Sequence, residues 1–288
     1  MKLAIGTAQF GLDYGVSNKD GQVSNEDVNK ILKAATKSQI TTIDTASDYG
    51  NSEQVLGKVG VKYFDVITKI GAVPESITDV KSWVCEQIEG ALVRLNLNSI
   101  YGFLLHRPNQ LLGKQGDIIF DALSQAQSQR LIKKIGVSIY DPAELTQLIN
   151  RFDFNIVQAP MNIIDRRLHS SGWLERLNKL GVEVHVRSVF LQGLLLMKPE
   201  LRPSYFRWWN LVMQDYDNWL NMSKIPPIEA CIGFVKQFNS VDKIIVGVLS
   251  PTHLEGICKA ISRNGIITAP SNIQSDDINL INPSKWIL

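Results

Sequence analysis

Short apolar runs recur along the chain, at LAIGT (3–7), TTIDT (41–45), FDVITK (64–69), IYGFLLH (100–106), KKIGVS (133–138), NIVQA (155–159), VEVHVR (182–187) and KIIVGV (243–248). Runs of this length with β-branched residues predict strands buried on both faces. The stretches between them have helical patterning. SNEDVNKILKAATKS opens with Ser24 three residues before Asp27, a variant of the capping box. DPAELTQLIN puts Asp141 at the cap and Pro142 in the first turn, and PPIEACIGFVKQF and SPTHLEGICKAIS also begin with proline. Strand then helix, eight times over, predicts an α/β fold, a single (β/α)8 TIM barrel spanning 1–288 as one domain.

One segment interrupts this rhythm, residues 194–225 between the seventh strand and its helix. Loops of that length inside a compact domain are usually functional. Its aromatics, YFRWW and Trp219, read equally as a wall for a substrate or as a helical excursion packed on the barrel.

The composition adds exclusions. A net charge of +2 provides no basic excess for nucleic acid or an acidic membrane surface, and 44% hydrophobic residues suit a filled core. Cys85, Cys231 and Cys258 are odd in number and widely spaced, which argues against a disulfide framework and for small core residues. The first residues contain no apolar leader and no run of 18 apolar residues occurs, so a soluble, cytoplasmic protein is expected.

In a barrel of this kind chemistry gathers at the C-terminal strand ends. Asp44 ends the second strand, Tyr49 follows it, Lys69 ends the third and His106 the fourth. Singly, such residues are more often structural. Together they compose an acid catalyst. Lys69 paired with Asp44 would neutralise a buried carboxylate and place a cation near Tyr49, lowering the phenol from its ordinary value of about 10. His106 would orient a substrate carbonyl.

DTASDYGNSEQVLG, ITK and LLHRP, in that order, resemble the aspartate, tyrosine, lysine and histidine segments of the aldo/keto reductase superfamily. The resemblance covers nearly the whole chain. It implies an NAD(P)H-dependent oxidoreductase in which Tyr49 is the general acid, Asp44 and Lys69 tune it, and His106 holds a carbonyl being reduced to an alcohol.

The resemblance also implies cofactor contacts. IGVSIYDPAEL supplies Ser138 for the nicotinamide carboxamide, with Ile139 where the family has asparagine, and VQAPMN supplies Gln158. VRSVFLQGLLL contributes Arg187, Ser188, Phe190, Gln192 and Gly193. Arg187 stands where an aromatic is common; its guanidinium would stack on the nicotinamide or turn aside to an acid or to substrate. VGVLSPTHLEG contributes Gly247, Ser250 and His253, with Leu249 where a basic residue often grips a 2′-phosphate. The choice between NADPH and NADH stays open, with Lys259 and Arg263 as the remaining cations. GTAQFGLDYG and RSVFLQGLLL resemble a branch associated with surface-polysaccharide or nucleotide-sugar pathways, so a sugar-related substrate is a lead.

Two other readings compete. A metal-dependent hydrolase needs converging ligands, whereas the chain has four histidines and neither HxH nor HExxH, so no metal is expected. A weakly catalytic, nicotinamide-nucleotide-binding regulatory protein on the same fold is the alternative to an enzyme. The expected partner is a small-molecule carbonyl compound; oligomeric state has no signature in the residues.

Overall fold

A computed structural model describes residues 1–288. Eight parallel strands close into a barrel in sequence order. They are β1 (Leu3–Gly6), β2 (Thr42–Asp44), β3 (Asp65–Ile70), β4 (Ile100–Leu105), β5 (Ile132–Ser138), β6 (Ile156–Pro160), β7 (Glu183–Arg187) and β8 (Lys243–Gly247). Each lies within two residues of its predicted span. Closure pairs β1 with both β2 and β8, setting Gly6 beside Asp44 on one side and Gly247 on the other.

The outer layer holds α1 (Asn25–Lys37), α2 (Ser52–Val59), α3 (Val80–Leu95), α4 (Gly116–Ser128), α5 (Leu145–Arg151) and α6 (Trp173–Lys179). The predicted caps form. The Ser24 side chain accepts from the Asp27 amide, and Asp141 and Glu144 make a reciprocal capping box ahead of α5. α1 turns Val28, Ile31, Leu32 and Ala35 onto the barrel, and each large apolar side chain so buried contributes about 1.5–3 kcal/mol.

The 194–225 interruption is helical. Three 3₁₀ turns (Leu191–Leu196, Pro199–Leu201, Ser204–Trp209) lead into α7 (Asn210–Ser223), which precedes the barrel helices α8 (Pro227–Lys236) and α9 (Pro251–Ser262). Three of its aromatics, Tyr205, Phe206 and Trp209, face the end of the chain. Phe206 meets Trp286 edge-on at 4.8 Å, the Trp209 indole donates to Asp277, and the Tyr205 hydroxyl donates to the Asn279 carbonyl. YFRWW builds no wall of the barrel-end cavity: Tyr205, Phe206 and Trp209 pack against residues 277–286, Trp208 is exposed to solvent, and none of the four lines that cavity. The cysteine expectation is corrected in part: only Cys231 is buried, its thiol pushed up to about 12, while Cys85 and Cys258 are half-buried. No helix is long and apolar enough to cross a membrane.

Candidate active site

A cavity of about 240 Å³ opens at the C-terminal end of the barrel. Its floor contains Gly6, Asp44 and Gly247, and its walls come from the loops after β1, β2, β4, β5, β7 and β8. Asp44, Tyr49 and His106 line it, while Lys69 sits directly behind, fully buried.

The buried charge is compensated as the sequence suggests. Lys69 Nζ lies 2.7 Å from Asp44 Oδ2 and donates also to the Thr45 carbonyl at 2.7 Å. Burial pulls the Lys69 ammonium below its ordinary value, while Asp44 opposes this. The other oxygen, Asp44 Oδ1, accepts from Gln158 Nε2 at 2.6 Å, and Gln158 Oε1 accepts from the Ser138 hydroxyl at 3.3 Å. Register explains the last bond, since Ser138 is paired with Gln158 across β5 and β6. A chain of polar groups thus runs across the barrel interior from β5 to β3. Ser138 and Gln158 are both fully buried in it and lie outside the cavity lining.

Tyr49 differs from expectation. Its phenol is pushed up rather than down, first by burial and next by the Asp44 charge. Two of the three Lys69 donors are spent on Asp44 and Thr45, and the ammonium stands 5.1 Å from the Tyr49 ring centre without a hydrogen bond to its hydroxyl. The neutralised pair has little net field to offer. The cation that does pull the phenol down is Arg187. Close backbone packing fixes the Tyr49 loop: a Cβ on Gly11 would collide with the Tyr49 carbonyl oxygen, and one on Gly50, at φ +56°, with the Gly11 carbonyl.

His106 meets Tyr49 edge-on, with ring centres 5.8 Å apart. Burial lowers its pKa, and the Asp48 carboxylate, 3.1 Å from Nδ1, opposes this. Asp48 was not singled out from the sequence. Its only signal there is its place one residue before Tyr49, which by itself says nothing of a histidine 58 positions away.

Arg187 pairs with no acid. Its guanidinium stacks on Tyr140, 4.4 Å from the ring centre, and donates to the Ile139 carbonyl at 2.9 Å and the Ser188 hydroxyl at 3.2 Å. Tyr140 is a second lining residue missed in the sequence, where it stood beside Ile139 without a motif of its own.

Ser188, Phe190, Gln192, Gly193, Gly247 and His253 line the cavity; Ser250 instead caps α9 by accepting from the His253 amide. Ser188, Leu191 and Gln192 are non-glycine residues held at φ +47° to +59°. Strain of this kind persists where surrounding structure fixes it, and it clusters at ligand sites. The β1 loop closes over this segment, with the Gln192 amide donating to the Tyr14 hydroxyl at 3.1 Å. The β1 loop also lines the cavity through Gln9, Tyr14, Gly15, Ser17 and Asn18. Of the remaining cations, Arg263 pairs with Glu229 and Lys259 is exposed on α9. No group of three or more His, Cys, Asp or Glu side chains converges anywhere in the fold.

Comparison with known proteins agrees with this architecture. The family model described as "Aldo/keto reductase family" matches residues 2–266. An aldo-keto reductase of Mycobacterium ulcerans (strain Agy99) is 27% identical over 169 residues, 57% of this chain and 56% of that protein. Aldo-keto reductase str7 of Strobilurus tenacellus is 27% identical over 201 residues, 66% of this chain and 59% of its own length. The matched region therefore spans little more than half of these relatives. Among solved structures, the holo form of aldo-keto reductase AKR11C1 from Bacillus halodurans superposes with a TM-score of 0.75 at 20% identity, covering 92% of this chain and 88% of that one. The glycerol dehydrogenase AKR11B4 from Gluconobacter oxydans superposes at 0.70 with 18% identity, covering 93% and 88%. At such identities the structural likeness speaks for the fold.

Proposed function

The chain belongs to the aldo/keto reductase family, and from that premise we propose that it reduces an aldehyde or ketone to an alcohol, using NADH or NADPH as hydride donor. The observation that carries this reading is one cavity bringing Tyr49 and His106 together over the buried Asp44–Lys69 pair.

The lining suits a nicotinamide nucleotide. Apolar Val189, Phe190, Leu196 and Leu249 stand beside polar Gln9, Asn18, Ser188 and Gln192, a mixture that accepts a flat ring and a sugar together. Ser188, Phe190, Gln192 and Gly193 from the β7 loop, with Gly247 and His253 beyond β8, would hold it. Bound there, the cofactor supplies the hydride.

The protein's own share is proton supply and orientation. A phenol raised by burial keeps its proton on Tyr49 Oη through the neutral range. An alkoxide is a stronger base than a phenolate, so transfer from Tyr49 to the developing alkoxide runs downhill. Arg187 favours the phenolate left behind. Burial disfavours the His106 imidazolium and Asp48 partly restores it; in that protonated form, with Asp48 accepting the Nδ1 proton, His106 Nε2 donates to a carbonyl oxygen. Ser138 and Gln158 act on the site through Asp44.

The test is to incubate the purified protein with NADH or NADPH and a panel of aldehydes, measuring loss of the reduced cofactor against alcohol formed. Stoichiometric conversion is expected. Tight nucleotide binding with no turnover across the panel would overturn the reading in favour of a nucleotide-responsive binding protein.

A further inference from the structure

Of the side chains lining the cavity only Asp44 is acidic, and it is committed to Lys69. Arg187 is the only lysine or arginine in that lining, so the cavity carries one cation without a counter-charge. A half-buried charge left unpaired is costly. The guanidinium is nevertheless held in place by the Tyr140 ring and by bonds to Ile139 and Ser188. Those two bonds use two of its five N–H donors, leaving a fork oriented by the stack. A second guanidinium, Arg107, approaches the same Tyr140 ring at 5.9 Å from the exposed rim.

We propose that Arg187 receives an anionic group of the substrate, so that the preferred substrates are carbonyl compounds carrying a carboxylate or a phosphate. This rests on the reductase reading above. Arg187, at the C-terminal end of β7, lines the same cavity as Tyr49 and His106, which places it at the reacting end. The part of a nicotinamide dinucleotide that reaches this end is its ring; the phosphates lie beyond a ribose. The anion for Arg187 therefore comes from the other reactant. Arg107 adds a positive rim along the approach.

The test compares three aldehydes of one ring size, 4-carboxybenzaldehyde, 4-formylphenyl phosphate and 4-methylbenzaldehyde, with wild type, Arg187→Gln and Arg187→Lys. Wild type should favour at least one charged aldehyde over the uncharged one by about tenfold or more in kcat/KM. Arg187→Gln should abolish that ratio and Arg187→Lys should retain most of it, and the better charged aldehyde identifies carboxylate or phosphate. If Arg187 only tuned Tyr49, all three substrates would change together and the ratio would stay constant, which overturns the proposal, as does a wild-type ratio near one. Calorimetric binding of 4-(hydroxymethyl)benzoate against 4-methylbenzyl alcohol provides a readout free of turnover. Selective binding of the acid that is lost in Arg187→Gln, with no aldehyde reduced, would sustain the anion site and sink the reductase reading. Reduction of all three aldehydes with no charge preference would do the reverse.

Discussion

Asp48 Oδ2 lies 3.1 Å from His106 Nδ1, so the histidine facing Tyr49, just after β4, is held by a carboxylate from the loop after β2, with β3 between the two strands. Burial lowers the imidazole pKa and Asp48 resists that lowering. Removing the charge in Asp48→Asn leaves burial unopposed, so the His106 pKa falls further and less imidazolium exists at any given pH. NMR titration of the His106 ring should show its midpoint moving to lower pH. A midpoint unchanged or raised would remove Asp48 from this role.

Tyr49 is the proposed proton donor. In Tyr49→Phe the ring keeps its edge contact with His106 and its place beside Lys69 Nζ, and only the hydroxyl is lost. The kcat for aldehyde reduction should drop roughly 10²- to 10⁴-fold, the usual worth of a positioned acid, with a nearly unchanged melting temperature. Retention of more than about a tenth of wild-type kcat would reassign the donor.

Asp44 and Lys69 test burial itself. Asp44→Ala leaves the Lys69 ammonium without its partner in a fully buried place and frees Gln158 Nε2 as well. Removing one member of a buried pair costs about 3–5 kcal/mol, so denaturant unfolding should move by that much. A variant as stable as wild type would mean that water reaches Lys69 freely.

A fourth prediction concerns the opposite end of the barrel, where Tyr101, Lys134 and His185 converge on Glu183. Burial pushes this carboxyl up, but hydrogen bonds from His185, Lys134 and Tyr101 outweigh it and hold the group at about 2, against 4.5 ordinarily. As pH falls the unfolded chain takes up this proton first. The stability contributed is therefore full above about pH 4.5 and is lost between there and about pH 2. Unfolding free energies of wild type and Glu183→Gln, measured from neutral pH downward, should differ most at neutral pH and converge below about 4.5. A gap independent of pH would show that shape, not charge, matters there.

The sequence by itself determined the barrel and the meeting of Asp44 with Lys69. Strands buried on both faces must be apolar along their whole length, and helices must be amphipathic, so both leave periods that extend over only a few neighbours. A charged residue at the end of such a run needs compensation, and Lys69 on the adjacent strand was the available cation. Cap chemistry at Ser24 and Asp141 was legible for the same reason, since it operates over two or three residues. Tertiary structure alone decided what distant side chains do with each other. Gln158 reaches Asp44 across 114 positions, Asp48 reaches His106 across 58, and Arg187 comes to lie on Tyr140. It also turned Tyr205, Phe206 and Trp209 toward residues 277–286 and away from the cavity. These contacts depend on barrel closure and strand register, which bring together residues that no local period relates, and on which of several possible partners a side chain reaches first.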